Sequence, residues 1–412
     1  MRWVGAMLAA LAVGTAAATD LSPQARLGRQ IFFDTTLSAS GSLSCASCHD
    51  PANAYAAPPT AGVVMMGGAN LDRPGLRAVP SLRYLADTPR FSRHSYIDVG
   101  REREDVGPAG GLMLDGRADN LRAQMLLPLL DPAEMANSSF QEIAAKLGRA
   151  PYSGALRQLS SANPSGHGRQ LLVDAAASNP DAQLFAATAA SAPDAQLINA
   201  AATALERFEL EDPSFHPYNS RFDKYLRGEA LSAAELEGLR LFVDPAKGNC
   251  AACHTATTGP GASAPTFTDH SYHALGVPRN PAIHANADPR FFDLGLCGPR
   301  REDLRGETRY CGYFKTPTLR KVTRRRFFFH NGRFTKLRDV MHFYVERDID
   351  SGNWYPTIAA KLRKFDDMPA RYRGNVNISD APLNRGPRDT PALNDAEIAK
   401  VIAFLGTLSD AD

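Results

Sequence analysis

Apolar positions along this chain recur with a helical period far more often than they alternate. Ile398, Val401, Ile402 and Leu405 stand at i, i+3, i+4 and i+7, the stripe of an amphipathic helix that packs on a core. Asn394 and Glu397 stand just before that stripe and form a capping box, in which two side chains satisfy two free backbone N–H groups of the first turn. Residues 191–209 are rich in Ala and Leu and predict a long helix, and the polar segment Glu211 to Tyr218 after it predicts a joint between domains. Two further stretches read as ends of amphipathic helices: Gly28-Arg29-Gln30-Ile31-Phe32-Phe33-Asp34 and Gly238-Leu239-Arg240-Leu241-Phe242-Val243-Asp244. Their likeness, about two hundred residues apart, predicts a divergent internal duplication. Strand patterns are scarce. Long loops rich in Pro and Gly run from Pro51 to Pro80 and from Gly259 to Arg301, and loops of that length are usually functional or wrapped around something. The expected fold is mostly α with long loops and little strand: two similar domains packed together, residues 19–210 and 211–412.

Composition adds few constraints. The 412 residues exceed what one compact core usually holds. A hydrophobic content of 44% with 22% charged residues is that of an ordinary soluble globular protein. Lys and Arg number 46 against 44 Asp and Glu, and without a basic stripe or an RNA-binding signature a nucleic-acid role has no support. The first residues read as a secretory signal, 1–18: Arg2 is the positive region, Val4 to Val13 the apolar run and Ala16-Ala17-Ala18 the cleavage site. That run is too short to span a bilayer, and no later segment reaches the ~20 apolar residues required. The expected location is the periplasm.

The chemistry is announced by two copies of Cys-x-x-Cys-His: Cys45-Ala46-Ser47-Cys48-His49 and Cys250-Ala251-Ala252-Cys253-His254. This spacing is the attachment signature of c-type haem. The two thiols lie about one helical turn apart and reach the two vinyl groups of one porphyrin, and the adjacent His ligates the iron from below. A redox dithiol or half a zinc site explains a lone Cys pair, but not two copies that each end in His. The two halves are therefore expected to be cytochrome c-like haem domains. The two remaining cysteines, Cys297 and Cys311, bracket a short loop; in an oxidising compartment such a pair is expected to be a disulfide, with two unpaired thiols as the alternative.

Longer motifs carry a resemblance. Asp115-Gly116-Arg117-Ala118 followed by Gln124, Pro128 and Glu134-Met135, together with Lys315-Thr316-Pro317-Thr318-Leu319-Arg320 and His330-Asn331-Gly332, resemble the bacterial di-haem cytochrome c peroxidase/MauG superfamily. The likeness runs from about residue 21 to the C-terminus. It implies that the N-terminal haem is peroxidatic, with Glu134 as the acid/base residue and Gln124 as its hydrogen-bonding neighbour. No His occurs between His49 and His94, so the first iron is expected to be open; Met65 and Met66 are read as loop packing. The resemblance implies a six-coordinate second haem used for electron transfer. Its distal ligand is a Met in the peroxidases and a Tyr in MauG, fourteen residues after the His of the His-x-Gly motif, which here is Tyr344; Met341 and His342 lie within one turn of it. Arg320 and the run Arg324-Arg325-Arg326 are candidates for haem propionates, with a solvated basic turn as the alternative.

Two positions depart from the family pattern. Leu114 stands where a Trp between the haems is usual, and Trp354 is distant in sequence. Ala78 stands where an inter-haem calcium would take an Asn side chain, and only the carbonyls of Arg325 and Phe327 remain for that ion. The activity implied is reduction of hydrogen peroxide with electrons from a small cytochrome c or cupredoxin. A MauG-like oxidase acting on a protein or other substrate is the alternative, and a non-catalytic di-haem carrier is a third reading. Assembly as a homodimer is left open.

Overall fold

Ser22 opens the first helix, α1 (Pro23–Phe32): its side chain accepts from the Ala25 N–H, and Pro23 fits the first turn because its missing N–H has no helical partner there. The computed structural model describes residues 20–99, 102–162, 192–258 and 264–411; the signal segment and residue 191 lie outside them. Helices follow at α2 (Cys45–Cys48), α3 (Leu121–Leu130), α4 (Phe140–Arg149), α5 (Ser153–Ala162) and α6 (Ala192–Glu211). The second half holds α7 (Arg221–Leu226), α8 (Ala233–Val243), α9 (Leu337–Glu346) and α10 (Asp395–Gly406). The capping box at Asn394 and Glu397 starts α10 as its sequence predicts.

The duplicated sequences form duplicated helix crossings. In the first half α1 packs across α6, so closely at Gly28 that a Cβ there would lie 1.9 Å from the Ala204 carbonyl oxygen. In the second half α8 packs across α10, and a Cβ at Gly238 would lie 2.0 Å from the Lys400 oxygen. Each crossing closes its own core. One core contains Phe32, Leu127, Ile143 and Phe208 and ends at Phe215. The other begins at Phe222 and contains Phe242, Phe267, Phe343 and Phe404. The break between them falls in the polar segment after α6. Tyr84 ties the halves together: its hydroxyl donates to Asp410 Oδ2 at 2.6 Å.

Strand is confined to two-stranded antiparallel ribbons among the described residues. One exceeds the expectation of little strand: Ser92–Val99 pairs with Glu102–Ala109. Arg93, His94, Tyr96, Glu104 and Asp105 along it are exposed, so no buried face imposes the alternation by which a strand is usually recognised. The short pair Tyr272–His273 and Phe314–Lys315 lies at the junction of the halves. Cys297 and Cys311 form a disulfide. Among the described residues no helix is long and apolar enough to cross a membrane.

Candidate active site

Both Cys-x-x-Cys-His motifs fold as tight helical turns, the first in α2 and the second in a 3₁₀ turn at Cys250–Ala252. In each, the N–H of the His donates to the carbonyl of the first Cys at 2.8 Å, which sets both thiols and the imidazole on one surface. His49 Nδ1 lies 3.0 Å from the Tyr55 carbonyl, and His254 Nδ1 lies 3.0 Å from that of Phe267. A carbonyl can only accept, so each Nδ1 carries the proton and each Nε2 is left as the lone-pair donor for a metal. Burial lowers both imidazole pKa values and keeps the rings neutral, as ligation requires.

Burial pushes the Cys45 thiol up to about 12 and the Cys48 thiol up to about 11, with the Glu134 charge adding to the latter. Cys250 and Cys253 are pushed to about 12 by burial. Redox dithiols need a lowered pKa, so neither pair is built for disulfide exchange. Cys253, Asp269 and His273 do bring three metal-binding atoms within 4.8 Å of one another. Ser271, however, already donates to Asp269 and contacts His273 Nε2 at 2.8 Å. The donor sets, two thiols one turn apart plus one oriented imidazole, fit haem better than zinc.

Helix α3 and its exit turn carry the two residues assigned to the distal side of the first haem. Pro128 sits inside the helix, and the chain leaves it at Asp131. The Glu134 N–H then donates to the Asp131 carbonyl at 2.9 Å, and the Gly68 N–H donates to the Glu134 carbonyl. Gly67 is required here: a Cβ would lie 2.2 Å from the Ala133 oxygen. Burial and the neighbouring Asp131 charge raise the Glu134 carboxyl to about 7, against the pull of Arg117 and Arg300. Asp131 itself is ion-paired with Arg300. Gln124 is buried, and its Oε1 has no hydrogen-bond partner. No hydrogen bond joins Gln124 to Glu134 among the described residues. Met66, on the short ribbon Met66–Gly67 with Arg73–Pro74, is about half exposed.

A cavity of about 340 Å³ runs from the second motif to the junction of the halves; its walls include His254, Cys250, Cys253, Tyr344, Gln124 and Leu114. Tyr344 enters it from the third turn of α9, and burial together with the Cys253 and Cys250 thiols holds its phenol above the usual range. Met341 lines the same cavity. His342 does not: it is turned to Glu346, at 2.9 Å, and to Asp395. Lys315 and Arg325, two half-buried cations on the cavity wall, have no carboxylate partner among the described residues. Lys315 Nζ donates to the Gly111 carbonyl at 2.5 Å, and burial pushes its amine down to about 7. Arg325 donates to the Thr318 carbonyl at 3.1 Å, and burial pushes it down to about 10. Buried cations are normally paired, so this cavity is built to receive an anionic group, as a haem with its propionates would supply.

Arg320, by contrast, is not available to a propionate. Its guanidinium holds Asp223 at 2.7 and 2.9 Å and is fully buried. Arg326 donates to the carbonyls of Pro59 and Ala61 from an exposed position. Of the basic run, Arg325 is the half-buried member that lines the cavity with no acid of its own; Arg324 and Arg326 line it from exposed positions.

Sequence reasoning also missed the ion-pair lattice behind the Asp-Gly-Arg motif. Asp115 is fully buried between Arg77 and Arg117, at 2.7 and 2.9 Å, and these guanidinium groups hold its carboxyl far below the usual range despite burial. Arg77 reaches on to Asp293 at 2.7 Å. Leu114, next to Asp115, accepts the Lys315 N–H at 2.9 Å, which places it at the junction between the halves. Only the motif residues carried a sequence signal; Arg77 and Asp293 lie in loops with none.

Two oriented imidazoles, each beside a pair of thiols and each with its own helical core, define a di-haem redox protein. The family description of di-haem cytochrome c peroxidases matches residues 22–231. MauG, a methylamine utilization protein of Paracoccus denitrificans, is 31% identical over 396 residues, covering 94% of this chain and 88% of its own. Cytochrome c551 peroxidase of Nitrosomonas europaea is 27% identical over 320 residues, 75% of this chain and 68% of its own. The crystal structure of the diheme peroxidase BthA from Burkholderia thailandensis superposes with a TM-score of 0.76 at 36% identity, covering 95% of this chain and 87% of that one. The chain therefore belongs to the di-haem cytochrome c peroxidase family, a group of oxidoreductases with two haems.

Proposed function

We propose that this protein is an exported, periplasmic di-haem peroxidase that reduces hydrogen peroxide to water with electrons from a small cytochrome c or cupredoxin. The carboxyl of Glu134 carries the reading: it stands on the exit turn of α3, its charge bears on the Cys48 thiol, and it titrates at about 7. In this reading each Cys pair forms two thioethers to one haem, and His49 and His254 ligate the two irons. When bound, the haems supply an iron at which the O–O bond of peroxide is cleaved and a store for the two electrons consumed. Glu134 takes the proton from the near oxygen of incoming peroxide and delivers it to the far one, so that water departs rather than hydroxide. Gln124, with an amide oxygen free of any partner, orients that exchange. Leu114 cannot be oxidised at accessible potentials, so electrons cross the junction by tunnelling or through another aromatic side chain.

A MauG-like oxidase is the second reading, favoured by Tyr344 in the cavity of His254. Phenolate oxygen would stabilise ferric iron there and lower its potential. The two readings separate in one experiment: the di-ferric protein is mixed with hydrogen peroxide, and reduced cytochrome c is then added. Rapid oxidation of the cytochrome is the expected result. A persistent two-electron-oxidised protein with negligible cytochrome oxidation would transfer the assignment to the oxidase, and no reaction with peroxide would leave only a carrier. The Tyr344→Phe variant is expected to lose the low-spin absorption of the second haem; an unaltered spectrum would pass the ligand role to Met341.

A further inference from the structure

We infer that the junction between the two halves carries no calcium and that the Arg325 guanidinium is its fixed positive charge. The inference rests on the di-haem reading of the cavity, and it contradicts what the family pattern implies for an inter-haem ion. Residues 76–80 meet the turn 325–332 directly, where the Ala78 N–H donates to the His330 carbonyl at 3.1 Å. At Gly332 the contact is hydrocarbon: a Cβ placed there would meet Val63 Cγ1 at 2.7 Å, Phe327 Cβ at 3.4 Å and Ala78 Cβ at 3.5 Å. Calcium wants about six to eight oxygens at roughly 2.3–2.6 Å, several of them from carboxylates or amides. The Ala78 methyl offers none.

The acids that line the cavity are committed elsewhere. Asp293 is held by Arg77 at 2.7 Å, Asp367 accepts from Asn331 at 2.9 Å and faces Arg279 at 3.4 Å, and Asp380 accepts from Asn377 at 2.7 Å. A cation is already in place. Arg325 lines the same cavity as Ala78, Val79 and Pro80, has one carbonyl partner and no acid, and its charge reaches His254. A dication beside the Arg325 guanidinium would meet like-charge repulsion, and the Ala78 methyl supplies no oxygen ligand to offset it.

The test uses the full-length protein with both haems attached. A pyridine haemochrome count of two per chain checks the haem reading separately, so a failure of that reading shows as a low haem count and not as a calcium result. After equilibration in calcium buffer and desalting, mass spectrometry is expected to find far less than one calcium per chain, and a chelator is expected to leave both haem spectra unchanged. One bound calcium per chain, or a spectral change on chelation, would overturn the first half of the inference. Arg325→Gln is expected to lower the reduction potential of the second haem, because a nearby positive charge favours the reduced state; Arg325→Lys is expected to restore most of the shift. An unmoved potential in Arg325→Gln overturns the second half. The metal analysis needs no variant and stands even where Arg325→Gln fails to assemble.

Discussion

The Glu134→Gln variant is expected to react with hydrogen peroxide about 10²–10⁴-fold more slowly than the unmodified protein, with both haem spectra retained. The amide keeps the size and polarity of the side chain but can neither take nor return a proton. The pH dependence gives a second, independent reading. The carboxyl is raised to about 7 by burial first and by Asp131 second, so at low pH it is already protonated and cannot accept. The peroxide rate of the unmodified protein is therefore expected to climb with pH through about 7 and level off above it, while the variant stays flat. Stopped-flow absorbance across about pH 5 to 9 measures both. A variant at full rate, or an unmodified protein with no inflection in that range, removes Glu134 from the chemistry.

Gly28→Ala and Gly238→Ala are expected to destabilise, each in its own half. Ala is the better helix former by about 1 kcal/mol, so at an ordinary helical position both changes would raise the melting temperature. At these two positions the new methyl would fall 1.9 and 2.0 Å from a backbone carbonyl oxygen. A carbonyl inside a helix cannot swing away as a side-chain end can, so the whole crossing must part. Overpacking of this kind costs about 1–3 kcal/mol and sometimes more, which overrides the propensity gain. Melts followed at the Soret band of each haem should show Gly28→Ala loosening the first site and Gly238→Ala the second. A raised melting temperature in either variant would mean that its crossing is looser than described.

Local rules made much of this molecule legible in advance. The Asn394 cap, the helix ends at Gly28 and Gly238 and the two Cys-x-x-Cys-His turns each depend on residues within a few positions of one another. Glu134 and Tyr344 were singled out only through longer motifs, since one carboxylate or one tyrosine carries no spacing signal. What stayed hidden depends on partners far away in the chain. Asp131 meets Arg300, Arg77 meets Asp293, and Arg320 meets Asp223. The ribbon Ser92–Val99 with Glu102–Ala109 was hidden for another reason: with polar residues on its exposed surface it lacks the hydrophobic alternation that marks a strand.

The helix crossings also set an order of events in biogenesis. The helix that covers α1 begins only at Ala192, and the one that covers α8 only at Asp395. A chain made from its N-terminus therefore presents Cys45 and Cys48 while the first core still lacks its lid, and later Cys250 and Cys253 while the second does. With haem attached as proposed, each motif would have its own interval in which a porphyrin can be delivered to open thiols, and the length of chain between motif and covering helix would set how long that interval lasts.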